Sequence, residues 1–259
     1  MLTGETLTRA GIDVVTLKPA ECDVSRGRDL PVDTVAVDYE GREHVPDGRT
    51  LSRLAADKRV LVTTPVRADG FDPLGDDSLL GRLPPGVRRV LVAGHPAYLD
   101  ESERERAVAP RLGRALESAP DAWVGTEGVE RIAMAAGGVQ YDLLSRTTES
   151  ELRGLRAAGF DGGLAVYAPT VLTDDEDAIL DAVGAYAARR GPVARALPEG
   201  ASTDATAAGR AREDLSAAVR DSAHVGSVDE VRSQVEALGE AGADHVVAYP
   251  ARGIDDFLA

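Results

Sequence analysis

The chain reads as one (β/α)8 TIM barrel spanning residues 1–259, and three observations predict it. A junction of one form recurs: Ala-Gly, an apolar residue, Asp, then a β-rich run, at Ala10–Asp13, Ala158–Asp161 and Ala241–Asp244. Eight strand candidates are continuous apolar runs, as expected of strands covered on both faces. The 259 residues match the roughly 250 that one such barrel uses. An open doubly wound sheet is the alternative.

Each element follows from its residues. The strands are expected at Asp13–Leu17, Thr34–Asp38, Val60–Thr64, Arg88–Ala93, Ala122–Gly125, Val139–Asp142, Leu164–Tyr167 and His245–Tyr249. At the junctions the glycine takes the left-handed conformation that ends a helix before the chain enters a strand. The first barrel units are shortened: Asp38–Arg49 and Arg67–Pro85 read as loops rich in Gly, Pro and Asp. Later helices are clearer, at Glu101–Ser118 with Asp100 as N-cap, Glu127–Ala136, Thr148–Ala158, Asp174–Arg190, Thr206–Asp221 and Val228–Ala241. Ser227 with Glu230 three positions on spells a capping box. Leu197–Gly209 is polar and small, and reads as a flexible crossover because the αβ pattern resumes after it.

Composition narrows the function. Asp and Glu number 44 against 29 Lys and Arg, a net charge of −15. A surface this acidic repels phosphate backbones, which argues against nucleic-acid partners. No run approaches the roughly 18 apolar residues of a membrane span. The N-terminus shows no secretory pattern, so the expected place is the cytoplasm. Only Lys18 and Lys58 are lysines, a balance that resembles proteins of salt-loving archaea; a GC-rich genome gives the same replacement of Lys by Arg. The single cysteine, Cys22, excludes an internal disulfide and a Cys-rich metal site. The histidines are scattered, and no metal site is expected.

A barrel carries its site at the C-terminal strand ends. That rule selects Lys18, Asp38 with Tyr39, Thr63–Pro65, His95, Thr126, Tyr141, Tyr167 and Tyr249. Asp38 closes an apolar strand, where a carboxylate must be solvated or paired. His95 follows the fourth strand and could exchange protons near neutral pH. The turn Gly125-Thr126-Glu127-Gly128 joins a strand end to a helix start, where small residues let backbone N–H groups approach an anion; a plain tight turn is the competing reading. Gly137 and Gly138 mark a later helix-to-strand junction. No Gly-x-Ser-x-Gly elbow or Gly-x-x-x-x-Gly-Lys loop occurs.

The stretch WVGTEGVERIAMAAGGVQYDLLS resembles the luciferase-like flavin and deazaflavin oxidoreductase superfamily. LAVYAPTVLTDDEDAILDAVGAYAARR and VGSVDEVRSQVEALGEAGADHVVAYP are similar to its later units, closest to the methylenetetrahydromethanopterin reductase-like branch. The resemblance implies a luciferase-like barrel that transfers hydride with a deazaflavin (coenzyme F-420) or FMN on a small-molecule substrate, as a homodimer. It places coenzyme contacts at Gly125, Thr126, Gly128, Gly137 and Gly138, adds Thr64 through the peptide after the third strand, and sets Asp38 on the substrate side; with His95, from its place after the fourth strand, Asp38 is the catalytic candidate. It also implies a cis peptide at Thr64–Pro65. The alternative is a divergent, non-catalytic barrel that has lost the coenzyme and binds another ligand or a protein partner. A phosphate-handling isomerase or lyase is a further reading.

Overall fold

The computed structural model describes residues 5–67, 83–95, 99 and 101–258. The fold is an eight-stranded parallel (β/α)8 barrel, the class that the sequence predicts. The chain divides into two compact units, one of Asp13–Asp142 with Phe160–Ala165, the other of Met1–Ile12, Leu143–Gly159 and Val166–Ala259. Among the described residues no helix is long and apolar enough to cross a membrane.

The chain enters through α1 (Glu5–Ala10) and then lays down β1 (Val14–Leu17), β2 (Thr34–Val37), β3 (Arg59–Pro65), β4 (Arg88–Val92), β5 (Trp123–Gly125) and β6 (Gln140–Leu143). Neighbours in this series pair in parallel, in chain order. Between β2 and β3 lies α2 (Gly48–Asp57), a helix inside the shortened region. Asp47 caps it by accepting from Thr50 N at 2.7 Å, and it buries Leu51 and Leu54, one turn apart. The expected helix 101–118 is instead two, α3 (Glu101–Arg104) and α4 (Val108–Ser118). Pro110 explains the break: it is tolerated only in a first helical turn, so a helix must restart just before it. The expected cap at Asp100 and most of the expected loop Arg67–Pro85 lie outside the described residues.

Strand alternation sorts the side chains into two faces. Leu91 and Val124 pack with Leu112 and Ala115 of α4 and with Ala133 of α5 (Glu130–Ala136). This is the helix-covered face, and each fully buried leucine in it contributes about 1.5–3 kcal/mol. Register then assigns the rest. Thr64 pairs with Leu91 and Gln140 with Val124, so both face the helices. Their neighbours Thr63 and Tyr141 point the other way, into the barrel, together with Thr16, Ala36, Leu61 and Trp123.

The second unit holds α6 (Thr148–Ala157), most of β7 (Leu164–Val171), α7 (Glu176–Ala188), α8 (Gly191–Ala196), α9 (Gly209–Ser222), β8 (His224–Val225), α10 (Val228–Ala241), β9 (His245–Pro250) and α11 (Asp255–Leu258). β7 runs four residues past its expected end and pairs Thr170 and Val171 with His224 and Val225. β8, two residues long, is too short to show a period in sequence. The capping box at α10 is present, with Ser227 N donating to Glu230 at 2.7 Å. The recurrent junction is also as expected, and Gly242 takes φ 120° after α10. There Arg156 clamps the turn, donating to Gly242 O at 2.8 Å and to Asp244 at 2.6 Å.

Pro192 begins α8 as a separate turn, which shortens the expected helix 174–190 to α7. α7 and α9 bury Ile179, Leu180, Val183, Leu215 and Val219 in one cluster with Val171 and Val225. The crossover before α9 is pinned rather than loose. Ala205 N donates to Asp181 at 2.8 Å, and Thr203 O lies where a Cβ on Gly184 would be, 2.2 Å away.

Candidate functional site

At the finishing ends of β1–β6 the inner face turns polar. Asp38 follows β2 on the parity of Ala36, and Lys18 follows β1 on the parity of Thr16, so both aim into the mouth. Tyr39 N donates to Asp38 Oδ1 at 2.9 Å, and the Thr63 hydroxyl bonds the same carboxylate. Burial dominates and pushes the Asp38 pKa up; the Tyr39 N–H, the Lys18 charge and Thr63 oppose it without prevailing, and Glu40 adds to the rise. A carboxyl whose proton affinity is raised in this way is tuned towards proton transfer. Around it, Lys18 Nζ lies 3.4 Å from Glu21, and Ala20 N donates to Glu40 at 2.7 Å, joining the loops after β1 and β2.

Deeper on the inner face sits an aromatic floor. Trp123 and Tyr141 have ring centroids 6.1 Å apart at 44°, and the Tyr141 hydroxyl is 3.4 Å from Thr16 Oγ1. Gly125 lies on the same face; a Cβ there would meet Val92 at 3.3 Å. Arg111 of α4 reinforces the rim from outside, donating to Val66 O and to Ala93 O (2.6 Å), the residues just past β3 and β4.

The turn after β5 is closed by the protein's own groups. Thr126 N donates to Tyr141 O at 3.0 Å and its hydroxyl to Asp142 at 2.7 Å. Gly128, at φ 72°, donates its N–H to Glu130 Oε1 at 3.1 Å. Two acids, Glu127 and Glu130, therefore stand where the sequence suggests an anion would dock. His95 Nε2 is 3.7 Å from Glu127, with both side chains partly exposed, so this histidine sits at the turn and not with Asp38.

The structure thus brings Asp38, Gly125, Thr126, Gly128 and His95 to strand ends, with Gly128 and His95 at the β5 turn, and places Thr64, Gly137 and Gly138 elsewhere. Thr64 faces the helices, 1% exposed, and its hydroxyl turns back to Val62 O at 3.2 Å; the inward hydroxyl on this strand is that of Thr63. Gly137 and Gly138 stand before β6, at the starting ends of the strands. Gly138 is there because a Cβ would come within 2.9 Å of Ala122 O. The expected cis bond is absent: Thr64–Pro65 is trans. The sequence reading reached Thr63 only as part of a strand end. Alternation carried forward from Asp38 would have chosen it over Thr64.

The geometry is that of a (β/α)8 barrel with a carboxylate-centred mouth, and comparisons place it among known folds. It is similar to an F420-dependent secondary alcohol dehydrogenase in complex with an F420–acetone adduct, at TM-score 0.59 and 13% identity, over 95% of this chain and 96% of that one. It is also similar to apo-MsnO8, at TM-score 0.54 and 17% identity, over 95% of each chain. At these identities the likeness is one of fold. The chain belongs to a family of unknown function, DUF7388, whose model matches residues 7–257. No curated protein matches it.

Proposed function

We propose that this barrel is an oxidoreductase of the luciferase-like type, in which Asp38 handles the proton that accompanies hydride transfer to or from a small substrate. The observation that carries this reading is the half-buried Asp38 carboxyl at the mouth, raised in pKa and oriented by Tyr39 N and Thr63. A site that must supply or remove a proton near neutral pH needs a group tuned in that direction. The similarity in fold to an F420-dependent alcohol dehydrogenase supports the same class of chemistry.

The mouth fits one part of a deazaflavin or FMN and not another. The inner face offers two aromatic rings, Trp123 and Tyr141, tilted 44° to each other, with glycine at 125 beside them, an apolar wall for a ring system. The β5 turn does not suit the coenzyme phosphate, since Glu130 already occupies the Gly128 N–H and Asp142 the Thr126 hydroxyl. A bound deazaflavin or flavin would supply the hydride. The chain's own part is to hold the substrate oxygen near Asp38, to keep that carboxyl desolvated, and to balance its charge with Lys18. His95, Gly137 and Gly138 have no place in this arrangement.

The test is calorimetric titration with deazaflavin, FMN and riboflavin. Saturable binding, with riboflavin close to FMN, is the expected result. A folded protein that binds none of them overturns the proposal. The acids at the β5 turn would then favour the second reading, a barrel that has lost its coenzyme and takes another ligand or a protein partner.

A further inference from the structure

A second candidate site lies within the other unit. A cleft of about 510 Å³ opens between the loop after β6, α8 and the outer stripe of α9. That volume falls within the roughly 300–1,000 Å³ of small-molecule sites. Its wall on α8 is apolar, with Pro192, Val193 and Ala196. Its wall on α9 is Asp214, Ala217, Ala218 and Asp221, spaced to share one helix face. The loop contributes Ser145, Arg146 and Thr147, and Arg190 closes the end.

The charges of the lining do not pair with one another. Asp214 is answered by Arg210 at 3.6 Å, while Asp221 forms no ion pair among the described residues. Neither Arg146 nor Arg190 has a carboxylate partner among them. Arg190 is instead held by neutral groups: it donates to Leu144 O at 3.2 Å and to Tyr186 Oη at 2.6 Å, and it stacks 5.0 Å above the Tyr186 ring. The lining thus holds two arginines and two aspartates, with a third arginine, Arg210, standing outside it beside Asp214, in a chain of net charge −15. The two hydroxyls of Ser145 and Thr147, 3.0 Å apart, stand beside Arg146.

We infer that this cleft binds a small monocarboxylate with an apolar body, its carboxylate at Arg146 and Arg190 and its chain along α8. A guanidinium whose planar fork is already oriented recognises a carboxylate with little further loss of entropy. A polyanion is disfavoured because Asp214 and Asp221 flank the far wall.

Calorimetric titration with octanoate tests this, with 1-octanol and octylamine as controls. The expected result is saturable one-site binding of octanoate with weaker or no binding of both controls. Arg146→Ala should weaken it tenfold or more, and Val193→Asp should abolish it; Arg146 is exposed and Val193 partly buried against the α7–α9 cluster, and circular dichroism checks that each variant folds. Failure of octanoate to saturate a folded protein overturns the inference. So does equal binding of octanol or octylamine, or unchanged octanoate binding in either variant.

Discussion

Thr63 bonds the carboxylate of Asp38 across the β2–β3 pair, while Thr64, one residue further on, turns its hydroxyl onto its own strand at Val62 O, 3.2 Å away. One step along a strand decides which of two adjacent threonines can touch chemistry. The contrast gives a matched pair of variants. Thr63→Val should lower turnover at least several-fold and raise the Asp38 pKa further, since the lost hydrogen bond favoured the charged form. Thr64→Val should leave turnover unchanged and cost about 1 kcal/mol of stability for one buried hydrogen bond. The pH–rate profile and urea midpoint of each variant check both statements.

Asp38→Asn should separate stability from activity. The folded pKa of Asp38 is raised, so its contribution is fully present below the unfolded carboxylate value of about 3.9 and is lost as pH rises through the higher folded value. At neutral pH the charged, desolvated carboxylate is therefore a cost to folding. The amide variant should melt higher at pH 7 and lose roughly 10²–10⁴-fold in turnover. Thermal melts at pH 7 beside a rate measurement decide it.

The turn after β5 makes a prediction of its own. Glu130 accepts from Gly128 N and fills the place an incoming phosphate would take. Glu130→Ala should tighten FMN binding while leaving riboflavin binding unchanged. Equal affinities of the two ligands, before and after the substitution, would show that the turn never meets the phosphate.

His224 sets a stability window at acid pH. It is 1% exposed, its Nδ1 lies 3.2 Å from Gln234 Oε1, and its Nε2 has no hydrogen-bond partner among the described residues. Because Gln234 donates its amide to Val225 O, its oxygen accepts and Nδ1 carries the proton. Burial lowers the pKa from 6.5 to about 4. The unfolded chain thus binds more protons between these values, and stability falls as pH drops from 6.5 towards 4. The loss should be on the order of 3 kcal/mol. Urea unfolding at pH 7 and pH 4 should show that loss in the wild type, and His224→Asn should remove most of it.

Gly94 was hidden in the sequence as one glycine among many. A Cβ there would lie 2.2 Å from Glu127 O and 2.8 Å from Val129, because the β5 turn rests on it. Gly94→Ala should destabilise by about 1–3 kcal/mol, as overpacking does. Gly137→Ala, with nothing within 4 Å but a positive φ of 82°, should cost less. Chemical denaturation of the two variants gives the comparison.

What the sequence made legible follows from periodicity and its limits. The eight barrel strands read as apolar runs, and the Ala-Gly-x-Asp junctions mark the starts of three of them. The helix α2 was missed because its signal is only Asp47 and the pair Leu51 and Leu54 inside a Gly- and Pro-rich stretch. Asp38 was legible because a carboxylate ending an apolar strand is conspicuous. Which glycines mattered was not legible. A Cβ at Gly138 would clash with Ala122 O at 2.9 Å and one at Gly125 would press on Val92 at 3.3 Å, but only three-dimensional packing separates a residue at a strand end from one at a strand start. Arg111, reaching from α4 to two strand ends, carries no local sequence signal at all.

Trp123 is the only tryptophan in the chain, and it lies on the inner face beside Tyr141. Its emission therefore reports on the inner face of the barrel at β5. The most direct measurement is quenching of Trp123 fluorescence on titration with deazaflavin and with FMN, in molar KCl, on protein shown to be folded by circular dichroism. Saturable quenching at micromolar concentration by one of them is the result this account predicts. Binding detected by calorimetry without any change in Trp123 emission, or no binding at all, would contradict a coenzyme at the Asp38 mouth.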